Sequence, residues 1–335
     1  MRYVKFGYHQ SNSVGGIVKD ELKIFSCRAS KQLATEISHY IGIPLGASYI
    51  DEFDNDNTWV KIEENVREVD VFIIQTSCRP VNHGLMEALI MADALRRASA
   101  KRITMVMPYF AYARSEKKDQ PRVPITAALV GKMMKAAGVD RILTMDLHAE
   151  AIMGFFDGPV DQLLAEGLIS DYLMKKQIPD LVAVSPDAGA VRRTRRYADR
   201  LGCPLAILDK QRDEKTVRFF NVIGDVKGRN AVIFDDEIAS GGTMKDASLA
   251  LRDFGAKKIY AACTHPVFGK HIRENLAESA FEQVVVTNSV PITLDPPPEK
   301  IWIISVAPLF GEAIKNIHTG ESVSSLLPER IKNHE

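Results

Sequence analysis

The chain has 335 residues, 46% hydrophobic and 26% charged, which is a globular composition with length enough for two domains, each with its own core. Forty-three basic residues balance forty-three acidic ones, so the formal charge of zero gives no global attraction to nucleic acid or an anionic membrane, and only local anion sites remain. Cys27, Cys78, Cys203 and Cys263 lie far apart with no CxxC pair, which argues against a zinc site or a disulfide framework and for reduced, partly buried thiols.

The opening MRYVKFGYHQSNSVGG has little periodicity and no apolar core of signal-peptide length, and residues 1–15 read as an extension. No stretch has about 18 consecutive apolar residues, so the expectation is a soluble, cytoplasmic protein with no membrane partner. Strands are predicted at 23–27, 71–75, 103–107 and 142–145, with helices between them such as LMEALIMADALRRA at 85–98. After the strand ending at Met107 comes PYFAYARSEKKDQPRVPITAALVGKMMKAAG, where Arg114, Lys117, Lys118 and Arg122 sit among turn formers before a helix from about Pro124. Such a cation cluster at a strand end suits a polyanion, whereas Tyr109, Phe110 and Tyr112 read as core or interface sooner than as a stacking platform for a base. MDLHAE at 145–150 then sets Asp146 and His148 directly after another strand.

A helix, LLAEGLISDYLMKK, opens the second half near residue 165. Strands follow at 181–187, 204–210, 230–237, 257–265 and 300–307, a pattern of parallel sheets flanked by helices. VSPDAGAVRRTRR places Asp187 at a strand end before a helix rich in arginine, and Arg192 and Arg193 there read either as phosphate binders or as a solvent face. DKQRDEKTV, carrying Lys210 and Arg212, is charged and unpatterned, and it reads as a loop able to close over an anionic transition state. RFFNVIGDVKGRNAVIFDD reads as a hairpin, with Val222 and Ile223 on one strand, a turn at Gly224 to Gly228, and the partner strand leading to Asp235 and Asp236. The proline cluster DPPPEK at 295–300 reads as an exposed loop.

VIFDDEIASGGT is the most informative segment. An apolar β-branched run ends in two carboxylates, and a small-residue loop then opens a helix running to Gly255. The carboxylates suit the hydroxyls of a ribose, while Gly241 and Gly242 carry no Cβ to hold main-chain amides away from a phosphate, and Ser240 and Thr243 bring hydroxyls. The plain alternative is a strand, a turn and a helix capped by Ser240 or Thr243. Magnesium takes oxygen ligands and keeps waters while bridging nucleotide phosphates, so isolated carboxylate and imidazole groups at strand ends fit a loosely held substrate metal better than a closed cage.

The chain resembles the ribose-phosphate diphosphokinase family, the synthetases of phosphoribosyl pyrophosphate. The likeness runs from about Ile24 to Leu327 and is carried by YAR..KKD at 112–119, TMDLHA at 144–149, GFFD.PVD at 154–161, SPDAG at 185–189, IGDV.GR at 223–229, DD....GGT at 235–243 and IHTGESVSSL at 317–326. The resemblance implies an α/β protein of two tandem domains of the type I phosphoribosyltransferase fold, each a mainly parallel sheet flanked by helices. The expected bounds are 16–164 for the ATP-side domain and 165–316 for the ribose 5-phosphate side, with a tail over 317–335. It further implies transfer of the β,γ-diphosphoryl group of ATP to the anomeric hydroxyl of ribose 5-phosphate, with Mg2+ and in a homohexamer. Matched motif by motif, Ser240, Gly241, Gly242 and Thr243 would hold the 5-phosphate, and Asp235 and Asp236 the ribose hydroxyls, directly or through a metal. His148 and Asp187 would help bind magnesium, Arg114 would contact ATP phosphates, and Phe53 with Asn55 would border the adenine, with a neighbouring subunit as a source of that contact. Lys210 and Arg212 would stabilise the transferred group.

Five positions depart from the family's usual pattern: Ala239 for an aspartate, Asn57 for a glutamate, Ser115 and Glu116 for glutamine and aspartate, and Ala190 for a second glycine. None removes a proposed cation. Asp161 lies in a stretch that looks like the family's regulatory region. Two other readings compete: a non-catalytic regulatory paralogue, disfavoured by the intact KQR and its spacing to IGDV, and an ordinary phosphoribosyltransferase, which would leave YAR..KKD without a purpose.

Overall fold

A computed structural model describes residues 3–4, 21–212 and 217–328, with side chains described except at 3–4, 210–212 and 217–220. The described residues fall in two compact units: Phe6–Leu164 with Ser289–Pro291 and Val306–Glu335, and Met1–Lys5 with Ala165–Asn288 and Ile292–Ser305. The predicted extension over residues 1–15 is described only at its strand β1 (Tyr3–Val4), which belongs to the second unit, and the tail beyond residue 328 lies outside the described residues.

The first unit runs through β2 (Leu22–Ser26), α1 (Lys31–Ile41), the antiparallel pair β3 (Ser48–Glu52) and β4 (Thr58–Ile62), β5 (Asp70–Ile74), α2 (Val81–Arg97), β6 (Arg102–Met107), α3 (Thr126–Ala136), β7 (Arg141–Met145) and β8 (Val160–Leu163). Its sheet has the order β2-β5-β6-β7-β8 and is parallel throughout. Every residue of DVFII in β5 is buried, as befits a strand covered on both faces. α1 turns Leu33, Ala34, Ile37 and Ser38 inward at helical spacing and ends at Gly42 in a left-handed cap. The β3–β4 pair and β8 have no counterpart in the predicted strands; SYIDE and TWVKI are only half-buried on alternate residues, so their apolar signal is weak.

The second unit contains α4 (Glu166–Lys176), β9 (Leu181–Ser185), α5 (Val191–Leu201), β10 (Leu205–Arg212), β11 (Val217–Ile223), β12 (Asn230–Glu237), α6 (Gly242–Asp253), β13 (Lys258–His265), α7 (Ile272–Glu278), β14 (Phe281–Thr287) and β15 (Ile301–Ile304). The sheet order is β1-β15-β14-β13-β12-β9-β10-β11, parallel except between β10 and β11. Chain order runs one way from β9 to β10 and the other way from β12 to β13, so the sheet reverses between β9 and β12. That reversal is where open α/β sheets form a ligand crevice beyond their carboxyl ends.

The expected hairpin between Val222–Ile223 and the carboxylate strand does not form. β11 pairs antiparallel with β10, and β12 sits between β9 and β13. The physical reason is burial: Ala231 to Phe234 are fully buried, which demands a central place, whereas β11 ends at an Ile223 that is 57% exposed and suits an edge. Lys210 and Arg212 accordingly lie on a strand and not in an irregular loop, while residues 213–216 fall outside the described residues.

Sequence order also assigns the last helix, α8 (Ala307–Thr319), to the second domain as far as residue 316; it packs in the first unit instead. Phe310, Ala313, Ile314 and Ile317 form its buried stripe. Gly311 is required by close approach to α1, since a Cβ there would stand 2.4 Å from the Tyr40 ring. Tyr40 Oη donates to Glu312 at 2.8 Å, Arg102 Nη2 donates to the Ile317 carbonyl at 2.9 Å, and His318 Nδ1 lies 2.8 Å from buried Asp70.

Candidate active site

In the second unit, β9, β10 and β12 bring Asp187, the strand holding Lys210 and Arg212, and the Asp235–Asp236 pair to the carboxyl edge of one sheet. Tyr197 of α5 stacks on Phe234 with ring centroids 4.1 Å apart, and one helical turn earlier Arg193 reaches both carboxylates. Its Nη1 lies 3.2 Å from Asp235 Oδ1 and 2.9 Å from Asp236 Oδ1. Arg193 therefore does not merely cover the solvent face of its helix. The Asp236 side chain is 6% exposed and the Asp235 side chain 24%, so Asp235 is the more open of the two. Burial, followed by the negative charge of Asp236, pushes the Asp235 carboxyl up to about 8.

The strand then gives way to a loop held by its backbone. Ile238 N donates to the His265 carbonyl at 3.0 Å, Gly269 N to the Ala239 carbonyl at 2.8 Å, and Asn275 Nδ2 to the Ser240 carbonyl at 2.9 Å. Gly241 has φ +80°, and a Cβ there would stand 2.7 Å from Ile272 Cδ1, so the turn itself requires glycine. At Gly242 a Cβ would meet nothing closer than 3.8 Å, so packing does not explain a bare residue there. No side chain caps α6: Ser240 Oγ is 3.5 Å from Gly242 N, at the limit of a hydrogen bond, and the capped-helix alternative loses its support. Exposed Ser240 and half-buried Thr243 flank these amides at a helix N-terminus, an arrangement that receives anions. Asp187 Oδ1 accepts from Ala190 N at 2.9 Å at the start of α5. The backbone of Lys210 and Arg212 is on β10, and their side chains lie outside the described residues.

The first unit carries the remaining predicted residues at the carboxyl ends of its own strands. Arg114 follows β6 and is exposed, in a segment where Tyr112 and Arg122 take positive φ. Tyr112 Oη donates to Asn82 of α2, and Phe110 is buried, in keeping with a packing role. His148 follows β7 and is exposed, two residues after buried Asp146. Phe53 and Asn55 occupy the turn between β3 and β4, where Phe53 N donates to the Asn57 carbonyl at 3.0 Å and Asn57 N to Asn55 Oδ1 at 3.3 Å. Phe53 is 57% exposed and lies 6.4 Å from the Trp59 ring. His148 and Asp187 belong to different units, and among the described residues no three His, Cys, Asp or Glu side chains group as a metal cage.

Residues 22–138 match the family described as the N-terminal domain of ribose phosphate pyrophosphokinase, and residues 210–328 the phosphoribosyl synthetase-associated domain. A ribose-phosphate pyrophosphokinase of Bacillus cereus is 45% identical over 310 residues, covering 92% of this chain and 98% of that protein. The chain belongs to the ribose-phosphate pyrophosphokinase family. Ribose-phosphate pyrophosphokinase 1 of Listeria monocytogenes is 46% identical over 313 residues, with 91% and 97% coverage. The crystal structure of phosphoribosylpyrophosphate synthetase from Mycobacterium smegmatis superposes with a TM-score of 0.85 at 40% identity, covering 90% of this chain and all of that one. The two-domain α/β architecture implied by the sequence resemblance is thus that of a solved family member.

Within this family frame, the departures noted from sequence fall at backbone-supported positions. Ala239 and Asn57 each accept a main-chain hydrogen bond through the carbonyl, Ala190 donates to Asp187, and Glu116 lies 3.4 Å from Lys117. No described helix is long and apolar enough to cross a membrane, and all four cysteines are free.

Proposed function

We propose that this chain is a ribose-phosphate diphosphokinase: it moves the β,γ-diphosphoryl group of ATP onto the anomeric hydroxyl of ribose 5-phosphate and releases AMP. The observation that carries the reading is the Asp235–Asp236 pair, bridged by Arg193 at the sheet reversal, directly ahead of an uncapped, glycine-bearing helix start. The sugar's 5-phosphate takes the amides of Gly241 and Gly242 with the hydroxyls of Ser240 and Thr243. Its ring hydroxyls are assigned to Asp235 and Asp236, both held by Arg193, with Asp235 the more exposed of the two.

Arg114 is assigned to the phosphates of ATP, and Phe53 with Asn55 to the adenine. Their exposed hairpin, with Trp59 beside Phe53 and Tyr49 beside Trp59, supports use across a subunit boundary in a homo-oligomer. Lys210 and Arg212 are assigned to the charge that develops on the diphosphoryl group in flight, where the gain is greatest in the transition state. His148 and Asp187 are each assigned to Mg2+ as a single donor at a strand end, the kind of ligand taken by an ion that arrives with nucleotide phosphates rather than one held in a closed protein cage. When bound, that ion neutralises phosphate charge and orients the attacked phosphorus.

Supplied with ATP, magnesium and ribose 5-phosphate, the protein is expected to release AMP in step with phosphoribosyl pyrophosphate. Appearance of ADP in place of AMP overturns diphosphoryl transfer, and absence of either product favours the regulatory paralogue.

A further inference from the structure

Glu52 ends β3 and immediately precedes Phe53. Alternation along the β3–β4 pair turns Ile50, Val60 and Ile62 onto the core of the first unit. The next inward pair towards the turn is Glu52 with Thr58, so apolar packing gives way to polar side chains just before the turn. The turn's own hydrogen bonds are internal: Phe53 N donates to the Asn57 carbonyl, Asp56 N to the Phe53 carbonyl and Asn57 N to Asn55 Oδ1. They shape it without attaching it to the rest of the unit.

A run of charged contacts makes that attachment. Glu87 lies on α2 with its side chain 3% exposed, and Arg28 takes both of its oxygens: the Arg28 main-chain N donates to Oε1 at 2.7 Å and Nε to Oε2 at 2.5 Å. A carboxylate buried so far needs such a partner. The backbone and the guanidinium of Arg28 are thereby fixed together, and the outer end of the fork, Nη2, donates to Glu52 Oε1. His83, one helical turn before Glu87 on α2, sets its Nδ1 3.2 Å from the same oxygen. The hydrogen bond from Arg28 holds the Glu52 carboxyl below its ordinary value, so it is ionised in this contact near neutral pH.

We propose that Arg28 is a positioning residue for the nucleotide: seated on buried Glu87, it holds Glu52 and so fixes the turn whose Phe53 and Asn55 meet the adenine. The inference rests on the assignment of that turn to ATP given above. On charge alone, deleting a carboxylate near the site of a polyanion favours the polyanion, so a KM for ATP that rises reports the lost anchor and not the lost charge. Glu52→Ala is expected to raise the KM for ATP about fivefold, with kcat and the KM for ribose 5-phosphate within about twofold. Glu52→Gln keeps an oxygen to accept from Arg28 and should fall between E52A and the wild type. Arg28→Lys keeps a cation for Glu87 but lacks the fork that also reaches Glu52, and it should match E52A. Glu63→Ala removes a carboxylate just beyond β4 that pairs with Lys61, and should leave the KM for ATP unchanged. In the protein without ligands, hydrogen exchange over residues 52–58 should quicken about fivefold in E52A and R28K and not in E63A. A folded E52A whose KM for ATP is unchanged or lowered, an equal rise in the KM for ribose 5-phosphate, the same rise in E63A, or exchange at the turn as slow as in the wild type would overturn the anchor. If either E52A or R28K does not fold, the other must show the split. A wild-type protein that makes no AMP sinks the enzymatic reading instead, and hydrogen exchange then decides by itself whether Arg28 anchors the turn.

Discussion

Asp235 and Asp236 share one guanidinium yet meet different surroundings, because alternation along a strand sends neighbouring side chains to opposite faces. Near neutral pH the Asp235 carboxyl, pushed up to about 8, holds a proton that the unfolded chain, with its ordinary value of 3.8, has lost. The native state therefore binds more protons between these two values, and this residue's contribution to stability is full below about 4 and is lost as pH rises through about 8. Asp235→Asn removes that dependence. Melting curves recorded without sugar or divalent cation are expected to show the wild type falling more steeply with pH than the variant, with the variant the more stable by about 1 kcal/mol or more at pH 8. Parallel curves would show that Asp235 is ionised in the free protein. The same substitution should weaken ribose 5-phosphate binding, a trade of stability for function often met at sites of perturbed carboxylates.

At the scale of the element, the loop from Ile238 to Gly241 is held by its backbone, and its single left-handed residue, Gly241, faces Ile272 of α7. Alanine at Gly241 adds a Cβ 2.7 Å from Ile272 Cδ1 and must also adopt φ +80°. The expected result is a loss of about 1–2 kcal/mol in stability together with a KM for ribose 5-phosphate raised about tenfold, read by denaturant unfolding and steady-state kinetics. An unchanged KM would mean that the phosphate is seated elsewhere. The alternation at Val222 and Ile223 correctly marks a strand, but it does not name the strand's partner. Pairing follows from which strands must be covered on both faces, a property of the whole sheet.

Across the whole molecule, the final helix shows how chain order and packing diverge. α8 follows the second unit in sequence, yet it joins the first through Tyr40, Arg102 and Asp70. Asp70 keeps Arg102 as a partner at 2.8 Å through Nε even without the imidazole. His318→Ala is therefore expected to loosen the anchor without unfolding the protein, at a cost of about 1–2 kcal/mol. Hydrogen exchange should quicken in α8, α1 and the amino ends of β5 and β6, and stay unchanged in β12 to β14. Equal acceleration in both units would show that α8 does not act as part of the first alone.

The residues themselves determined the α/β class, the strand that carries the carboxylates, the glycine loop and the family, because apolar runs, turn formers and motif spacing are local properties of a chain. Val232 to Thr243 needed no neighbour to be read as a strand, a carboxylate pair and a glycine loop before a helix. Tertiary structure alone decided that Arg193 bridges the carboxylates, that β11 turns to β10 rather than β12, and that α8 leaves the unit it follows. Each of these depends on side chains from segments distant in sequence competing to cover one apolar surface or satisfy one buried charge. That competition is settled only when the sheets are packed.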